Sequence, residues 1–212
     1  PKDIANKILF NVFKSESNFK ERNLKPNYKI SRRQEKYLDS NPLILNRPVE
    51  NKLVQTLYKI KAQDQAKFQG PTYGKAIGSN YELFDRNESM IKIIKNDLIS
   101  ISMKAVKSNI FIVASFFTIF RSGGGLTSHT HLNELDKLKG LDLSIKKFSL
   151  VYYLSVGDQN CNEPGILKLE DPSQDILPET GSIIIFPAGR RHSVFYEGEK
   201  DRIIIGVNFY KI

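Results

Sequence analysis

The chain has 212 residues, of which 40% are hydrophobic and 26% charged, a composition typical of one soluble globular domain with a proper core. Its formal net charge of +9 is spread along the chain without an aromatic RNA-binding signature, which argues against a nucleic acid partner. No stretch has the length of a transmembrane helix, so no membrane partner is expected, and the single cysteine, Cys161, excludes an internal disulfide and indicates a reducing cytoplasm.

Residues 1–50 differ in composition from the rest of the chain. They are rich in Lys, Arg and Asn and contain only short apolar clusters. This composition predicts a basic N-terminal arm that wraps the core, or the tail of an upstream module. Residues 51–212 are expected to form the folded domain.

Two segments place apolar residues at helical spacing, residues 51–67 and 89–107, and predict helices that pack on one sheet. After residue 108 the sequence changes to short β-rich runs with turn signals between them. The predicted strands are residues 110–121, 148–156, 165–170, 181–186, 192–196 and 202–210. The pattern predicts a mainly β fold with flanking α-helices, a sandwich or barrel.

The three histidines of the chain, His129, His131 and His192, lie in two short segments. His129 and His131 are two residues apart, so on an extended strand both imidazoles project from the same face. His192 follows an apolar run and a turn that contains Pro187. Each histidine alone is more often an ordinary polar residue than a ligand. Together, however, three neutral imidazoles on adjacent strands predict a metal site with open coordination positions, which a catalytic metal needs.

In order and spacing these segments resemble the Fe(II)/2-oxoglutarate-dependent oxygenases, and among them a bacterial and phage-type branch that is prolyl-hydroxylase-like. The resemblance covers about residues 111–212. The elements that carry it are His129-Thr130-His131, Tyr152-Tyr153-Leu154, Gly165-Ile166-Leu167, Asp171-Pro172, Phe186-Pro187, His192-Ser193-Val194, and Arg202 followed by Asn208-Phe209. It implies a double-stranded β-helix, or jelly roll of cupin-like form, with the histidines at one mouth. It also implies Fe(II), 2-oxoglutarate and O2, and hydroxylation of a small-molecule or peptide substrate with release of succinate and CO2.

The resemblance assigns the C5 carboxylate of 2-oxoglutarate to a basic residue about ten positions after the distal histidine. Arg202 stands there, and the apolar run that follows it predicts partial burial. An arginine suits this role because its planar fork binds a carboxylate through two hydrogen bonds and stays charged. Tyr153 is the expected second anchor, and strand alternation directs Tyr152 to the opposite face. The ordinary alternatives are a surface arginine and two core aromatic residues.

One position departs from the family pattern. The usual facial triad has two histidines and one carboxylate, and His131 stands where the carboxylate is expected. Three alternatives follow: a three-histidine triad, a carboxylate of Glu134 or Asp136 that reaches in, or a register shift between His131 and Asn133. Residues 132–147, with alternating acids and lysines, are expected to form a loop or lid beside the mouth. The favoured ligand set is His129, His131 and His192.

Two other functions fit parts of the sequence. A metal-binding cupin that does not use 2-oxoglutarate fits the spacing of Gly181, Pro187 and His192, but the glutamate it needs after His131 is one place early, at Glu134. Such a cupin has no need of a buried basic residue ten positions after its last histidine. A non-catalytic jelly-roll binding protein is the third interpretation. The glycine run 123–125 lacks the spacing of a phosphate-binding loop and is interpreted as a flexible turn or lid hinge.

Overall fold

The computed structural model describes residues 41–67, 70–138 and 143–212. Most of the predicted basic arm, residues 1–40, lies outside the described residues. Within the remainder of that range, Leu43–Asn46 forms a strand at the edge of the larger sheet. The division of the chain near residue 50 stays a prediction.

The described residues form three helices, three short 3-10 turns and twelve strands. The helices are α1 (Asn51–Lys59), α2 (Ser89–Val106) and α3 (Leu143–Lys146). The 3-10 turns are Gln65–Lys67, Leu83–Asp85 and Leu135–Lys137. The strands are β1 (Leu43–Asn46), β2 (Gln63–Asp64), β3 (Thr72–Tyr73), β4 (Ala76–Gly78), β5 (Ile110–Phe120), β6 (Gly124–His129), β7 (Lys147–Ser155), β8 (Leu167–Leu169), β9 (Gln174–Ile176), β10 (Ser182–Pro187), β11 (His192–Tyr196) and β12 (Arg202–Lys211).

The strands form two antiparallel sheets. The larger sheet has seven strands in the order β1-β10-β7-β12-β5-β4-β2, and the smaller has five in the order β3-β6-β11-β8-β9. Strand β12 lies at the centre of the larger sheet, between β7 and β5, so residues on its inner face lie deep in the molecule. The predicted fold class, mainly β with flanking helices in a jelly roll, is confirmed.

Two apolar layers hold the sheets and helices together. On the outer face of the larger sheet, Leu53 of α1 and Ile94 of α2 pack in one cluster with strand residues such as Ile205. On the inner face, Tyr153 and Ile204 share a second cluster with residues of the smaller sheet, among them Leu167, Leu169 and Tyr196. Alternation places Tyr152 in the outer cluster and Tyr153 in the inner one, as predicted. The inner layer is the one that surrounds the candidate site.

The predicted first helix ends too late. Helix α1 stops at Lys59, Ile60 takes an extended conformation, and Gln63–Asp64 pairs with β4. The apolar stripe on which the prediction rested ends at Ile60, and the following polar residues give a longer helix nothing to bury. The second predicted helix and the six predicted strands are confirmed within about one or two residues at each end. None of the helices described is long and apolar enough to cross a membrane.

Candidate metal centre and buried arginine

The three histidines meet where the smaller sheet brings two strand ends together. His129 is the last residue of β6, His192 is the first residue of β11, and the two are direct register partners. His131 lies in a bend just past β6 and not on the strand itself. Its backbone N–H donates to the carbonyl of Ala188 at 2.9 Å, which ties this bend to the turn before β11.

The distances between the three side chains suit one metal ion. The ring centroids of His129 and His192 are 4.2 Å apart, and the ring centroid of His131 lies 5.0 Å from that of His129 and 4.9 Å from that of His192. One candidate ligand atom from each ring lies within 4.8 Å of the other two. Across residues 41–67, 70–138 and 143–212, this is the group of histidine, cysteine and acidic side chains that could hold a metal ion.

All three imidazoles are in environments that favour the neutral form. Burial lowers the pKa of His129, lowers that of His131 well below its usual value, and lowers that of His192 to about 4. The Nδ1 atoms of His129 and His192 lie 2.7 and 3.1 Å from the carbonyl oxygens of Thr127 and Arg190. A carbonyl only accepts, so each Nδ1 carries the proton and each Nε2 keeps a free lone pair for a metal.

The two acids considered as alternative ligands have other partners. The buried Asp136 carboxylate accepts hydrogen bonds from the Lys147 ammonium at 2.7 Å and from the Tyr210 hydroxyl. The exposed Glu134 pairs with Lys137. The structure therefore brings the three histidines together and leaves both acids outside their group.

Arg202 is buried with an incomplete set of hydrogen-bond partners. It is 1% exposed, and its Nε and Nη1 atoms have no hydrogen-bond partner among the described residues. Its guanidinium lies over the rings of Tyr153 and Tyr196, 5.0 and 5.9 Å from their centroids. Burial lowers the pKa of Arg202, while Tyr153 and Tyr196 raise it. A buried cation whose donors are free is costly unless an anion binds to it, so this arrangement is typical of an anion-binding site.

One cavity connects the histidines to the arginine. Its walls include His131, His192, Tyr153 and Arg202, together with Ser149 and Asn208. Otherwise it is lined mainly by apolar side chains, and it includes about 510 Å³ of space free of atoms, part of it open to solvent. The cavity thus brings a buried cation and two imidazoles to one wall.

Sequence reasoning missed the roles of two residues in this cavity wall and of one residue beside Arg202. Asn208 was named only as part of the motif that ends in Asn208-Phe209, yet its amide contacts His131. Ser149 carried no signal, because a serine inside a strand is common. Gly165 lies against the Arg202 guanidinium, where a Cβ would come 2.4 Å from Nη1. A glycine in an otherwise ordinary loop suggests such a close approach only after the fold is known.

No family model matches the chain, and no curated protein matches it in sequence. Solved structures do match. A 2OG-Fe(II) oxygenase family oxidoreductase from Burkholderia pseudomallei is 12% identical with a TM-score of 0.56, over 84% of this chain and 88% of that one. A Trichoplax adhaerens prolyl hydroxylase, in complex with a hypoxia inducible factor peptide, is 13% identical with a TM-score of 0.60, over 89% and 94%.

A third match has a metal and the cosubstrate in place. HygX from Streptomyces hygroscopicus, with nickel and 2-oxoglutarate bound, is 13% identical to this chain with a TM-score of 0.59, over 86% of this chain and 87% of that one. At such identities the likeness concerns the arrangement of strands and helices. The resemblance inferred from the sequence is confirmed at that level: the chain has the fold of the 2OG-Fe(II) oxygenases.

Proposed function

We propose that the protein is an Fe(II)- and 2-oxoglutarate-dependent dioxygenase that hydroxylates a small-molecule or peptide substrate. The observation that carries this proposal is the shared cavity, whose wall includes His131 and His192 together with a buried, incompletely paired Arg202. A metal site alone does not require that arginine.

The three imidazoles fit a divalent metal such as Fe(II), for which imidazole is a suitable ligand. His129, His131 and His192 would hold it, with coordination positions left open for other ligands. Neutral imidazoles bring no negative charge to the metal. A dianionic cosubstrate would supply that charge in place of the usual carboxylate.

The arginine fits the distal carboxylate of 2-oxoglutarate. The free Nε and Nη1 atoms of Arg202 can donate charge-assisted hydrogen bonds to a bound carboxylate. Tyr153, wholly buried beside the guanidinium, has its pKa raised by burial. Its hydroxyl therefore stays protonated and can donate a hydrogen bond to the same carboxylate.

The chain's own residues would act by binding and orienting. Arg202 and Tyr153 fix one end of the cosubstrate, the histidines fix the metal, and the apolar lining of the cavity excludes water. With Fe(II), 2-oxoglutarate and O2 bound, the metal would supply the oxidation, in which 2-oxoglutarate becomes succinate and CO2 and a C–H bond of the substrate is hydroxylated.

The substrate class stays open between small molecules and peptides. Proteins with this fold include one in complex with a hypoxia inducible factor peptide and another with hygromycin B bound. Fold alone does not choose between such substrates. The cytoplasmic location expected from the single cysteine also stays a prediction.

The proposal is tested by an anaerobic titration with Fe(II) and then 2-oxoglutarate, followed by the weak visible charge-transfer band of the chelated complex. We expect the band in the wild type. Arg202→Ala should keep its metal and lose about tenfold or more in 2-oxoglutarate affinity, because hydrogen bonds to a charged group contribute about 1.5–3 kcal/mol. Arg121→Ala, at a half-exposed arginine paired with Asp201, is the control. Unchanged 2-oxoglutarate affinity in Arg202→Ala would contradict the assignment.

A second candidate is a metal-binding cupin without 2-oxoglutarate. The three histidines that lie together support it, and the position of Glu134, paired with Lys137 outside their group, counts against it. The same titration separates the two functions. Metal binding without the band supports the cupin. Failure to bind any metal supports the non-catalytic binding protein.

A further inference from the structure

Asn208 contacts one of the three candidate metal ligands through its side chain. Its Nδ2 lies 3.3 Å from His131 Nδ1, and its Oδ1 accepts a hydrogen bond from Ser149 Oγ at 2.8 Å. The residue is 8% exposed, lies on the central strand β12 and lines the cavity. The amide is therefore held between β7 and the bend that carries His131.

This contact differs in kind from those of the other two histidines. His129 and His192 direct Nδ1 at the backbone carbonyls of Thr127 and Arg190, which can only accept a hydrogen bond. Their tautomers are fixed by the backbone. The amide of Asn208 offers a donor on one atom and an acceptor on the other, so the tautomer of His131 depends on which atom faces it.

The two amide orientations have opposite consequences for metal binding. With Nδ2 towards His131, as in the structure, Nδ1 accepts and the proton is on Nε2, which then has no lone pair for a metal. A half-turn of the amide places Oδ1 towards His131 and Nδ2 towards Ser149 Oγ. Nδ1 then carries the proton and donates it in a hydrogen bond, and Nε2 is free. Ser149 can donate or accept, so its hydrogen bond survives either way.

We infer that Asn208 is a positioning residue that makes His131 a metal ligand by turning its amide. Metal binding at Nε2 releases one proton, and Nδ1 gains one, so the exchange leaves the charge of the imidazole unchanged. The inference rests on the proposed metal site and adds the residue that decides whether its third ligand is available. Such partners of metal-bound histidines commonly change metal affinity by 10–100-fold when removed.

The test compares Asn208→Asp and Asn208→Leu with the wild type and with Asn160→Leu, a change at an exposed loop asparagine. The first readout is the tautomer of His131 in the metal-free protein, from histidine ¹⁵N shifts; with three histidines in the chain, the rings can be assigned by single substitutions. The second readout is the affinity for Ni(II) by calorimetry.

We expect His131 to be protonated at Nε2 in the metal-free wild type and at Nδ1 in Asn208→Asp, whose carboxylate can only accept. Asn208→Asp should bind Ni(II) at least as tightly as the wild type, and Asn208→Leu about tenfold more weakly. Asn160→Leu should match the wild type. Because Asp has nearly the shape of Asn, that variant keeps the test valid even if the leucine variant folds poorly.

Each failure has a distinct signature. An unchanged tautomer in Asn208→Asp, or an unchanged Ni(II) affinity in folded Asn208→Leu, overturns the inference and leaves the proposed metal site intact. Absence of Ni(II) binding by the wild type overturns the proposed site and the inference with it.

Discussion

The Arg202 guanidinium packs closely against a glycine. Gly165 lies in the segment before β8 with φ at +82°, and a Cβ there would come 2.4 Å from Nη1 and 2.7 Å from Cζ of Arg202. Two constraints therefore meet at one residue, the left-handed backbone and the close approach of the guanidinium. The G-x-L motif noted in the sequence has a physical cause in this contact.

Gly165→Ala should weaken 2-oxoglutarate binding about tenfold or more while leaving metal binding unchanged, because the added methyl group displaces the guanidinium. Gly123→Ala is the matched control. Gly123 has φ at +84°, yet a Cβ there meets nothing within 4 Å. Both variants pay a similar backbone cost of about 1–2 kcal/mol, visible in thermal melts. Equal 2-oxoglutarate affinities in the two variants would show that the contact with Arg202 does not matter.

At the scale of elements, the segment after β6 is fastened by a buried ion pair. Asp136, in the 3-10 turn Leu135–Lys137, accepts hydrogen bonds from Lys147 at the start of β7, from Tyr210 of β12 and from the backbone N–H of Asn133. The side chains of Asp136 and Lys147 are 0% and 4% exposed. The expected loop or lid, residues 132–147, is thus anchored to the larger sheet at its described parts, and residues 139–142 lie outside the description.

Lys147→Met should lower the free energy of unfolding by about 3 kcal/mol, since it leaves a buried carboxylate without its cation. Lys137→Met is the matched control in the same segment. The Lys137–Glu134 pair has the same 2.7 Å separation, but its side chains are 59% and 91% exposed, so its loss should cost less than about 1 kcal/mol. Urea denaturation measures both. Similar losses in the two variants would refute the difference that burial is expected to make.

How well an element could be predicted depended on how much of its own apolar pattern it carries. Strands β5, β7, β10 and β12 are long and largely buried, and their apolar runs indicate them directly. Strands β1, β2, β3, β4 and β9 were missed. They have two to four residues each and are specified by pairing with distant strands, which a local pattern does not contain. Strand β6 was expected only as an extended segment around His129, and the prediction of a flexible turn or hinge at residues 123–125 is wrong for Gly124 and Gly125, which lie in β6.

At the scale of the whole molecule, the meeting of two strand ends buries a neutral imidazole. His192 is 3% exposed and stacks edge-on against Phe186. Burial lowers its pKa to about 4. In the unfolded chain the same group takes up a proton near pH 6.5, so the stability of the metal-free protein is linked to pH.

The sign follows from this difference. Above about pH 6.5 His192 is neutral in both the folded and the unfolded protein, and its contribution to the free energy of unfolding is complete. As the pH falls towards 4, the unfolded chain binds the proton first, so the folded protein loses stability. Between pH 6.5 and 4 we expect protonation of His192 to lower the free energy of unfolding by roughly 3 kcal/mol. Urea melts of chelator-treated wild type and His192→Gln between pH 7 and 4 measure the difference. Parallel pH profiles for the two proteins would contradict the expected linkage.

The sequence by itself determined which residues could do the chemistry. Three histidines in two short segments were identified as candidate ligands because they are rare in this chain, and Arg202 and Tyr153 were assigned from the resemblance that the motifs carry. Strand alternation also assigned Tyr152 and Tyr153 to opposite faces correctly. These signals are local in the chain, so a linear pattern contains them.

Only the tertiary structure decided which groups meet. It placed Asp136 against Lys147 and away from the histidines, buried Arg202 with two unpaired donors, and brought the Asn208 amide to His131. The residues that meet are distant in the chain. Asp136 and Lys147 are 11 residues apart, Arg202 and its neighbour Gly165 are 37 apart, and His131 and Asn208 are 77 apart. The energies of these contacts depend on burial and on the exclusion of water, which exist only once the two sheets have packed together.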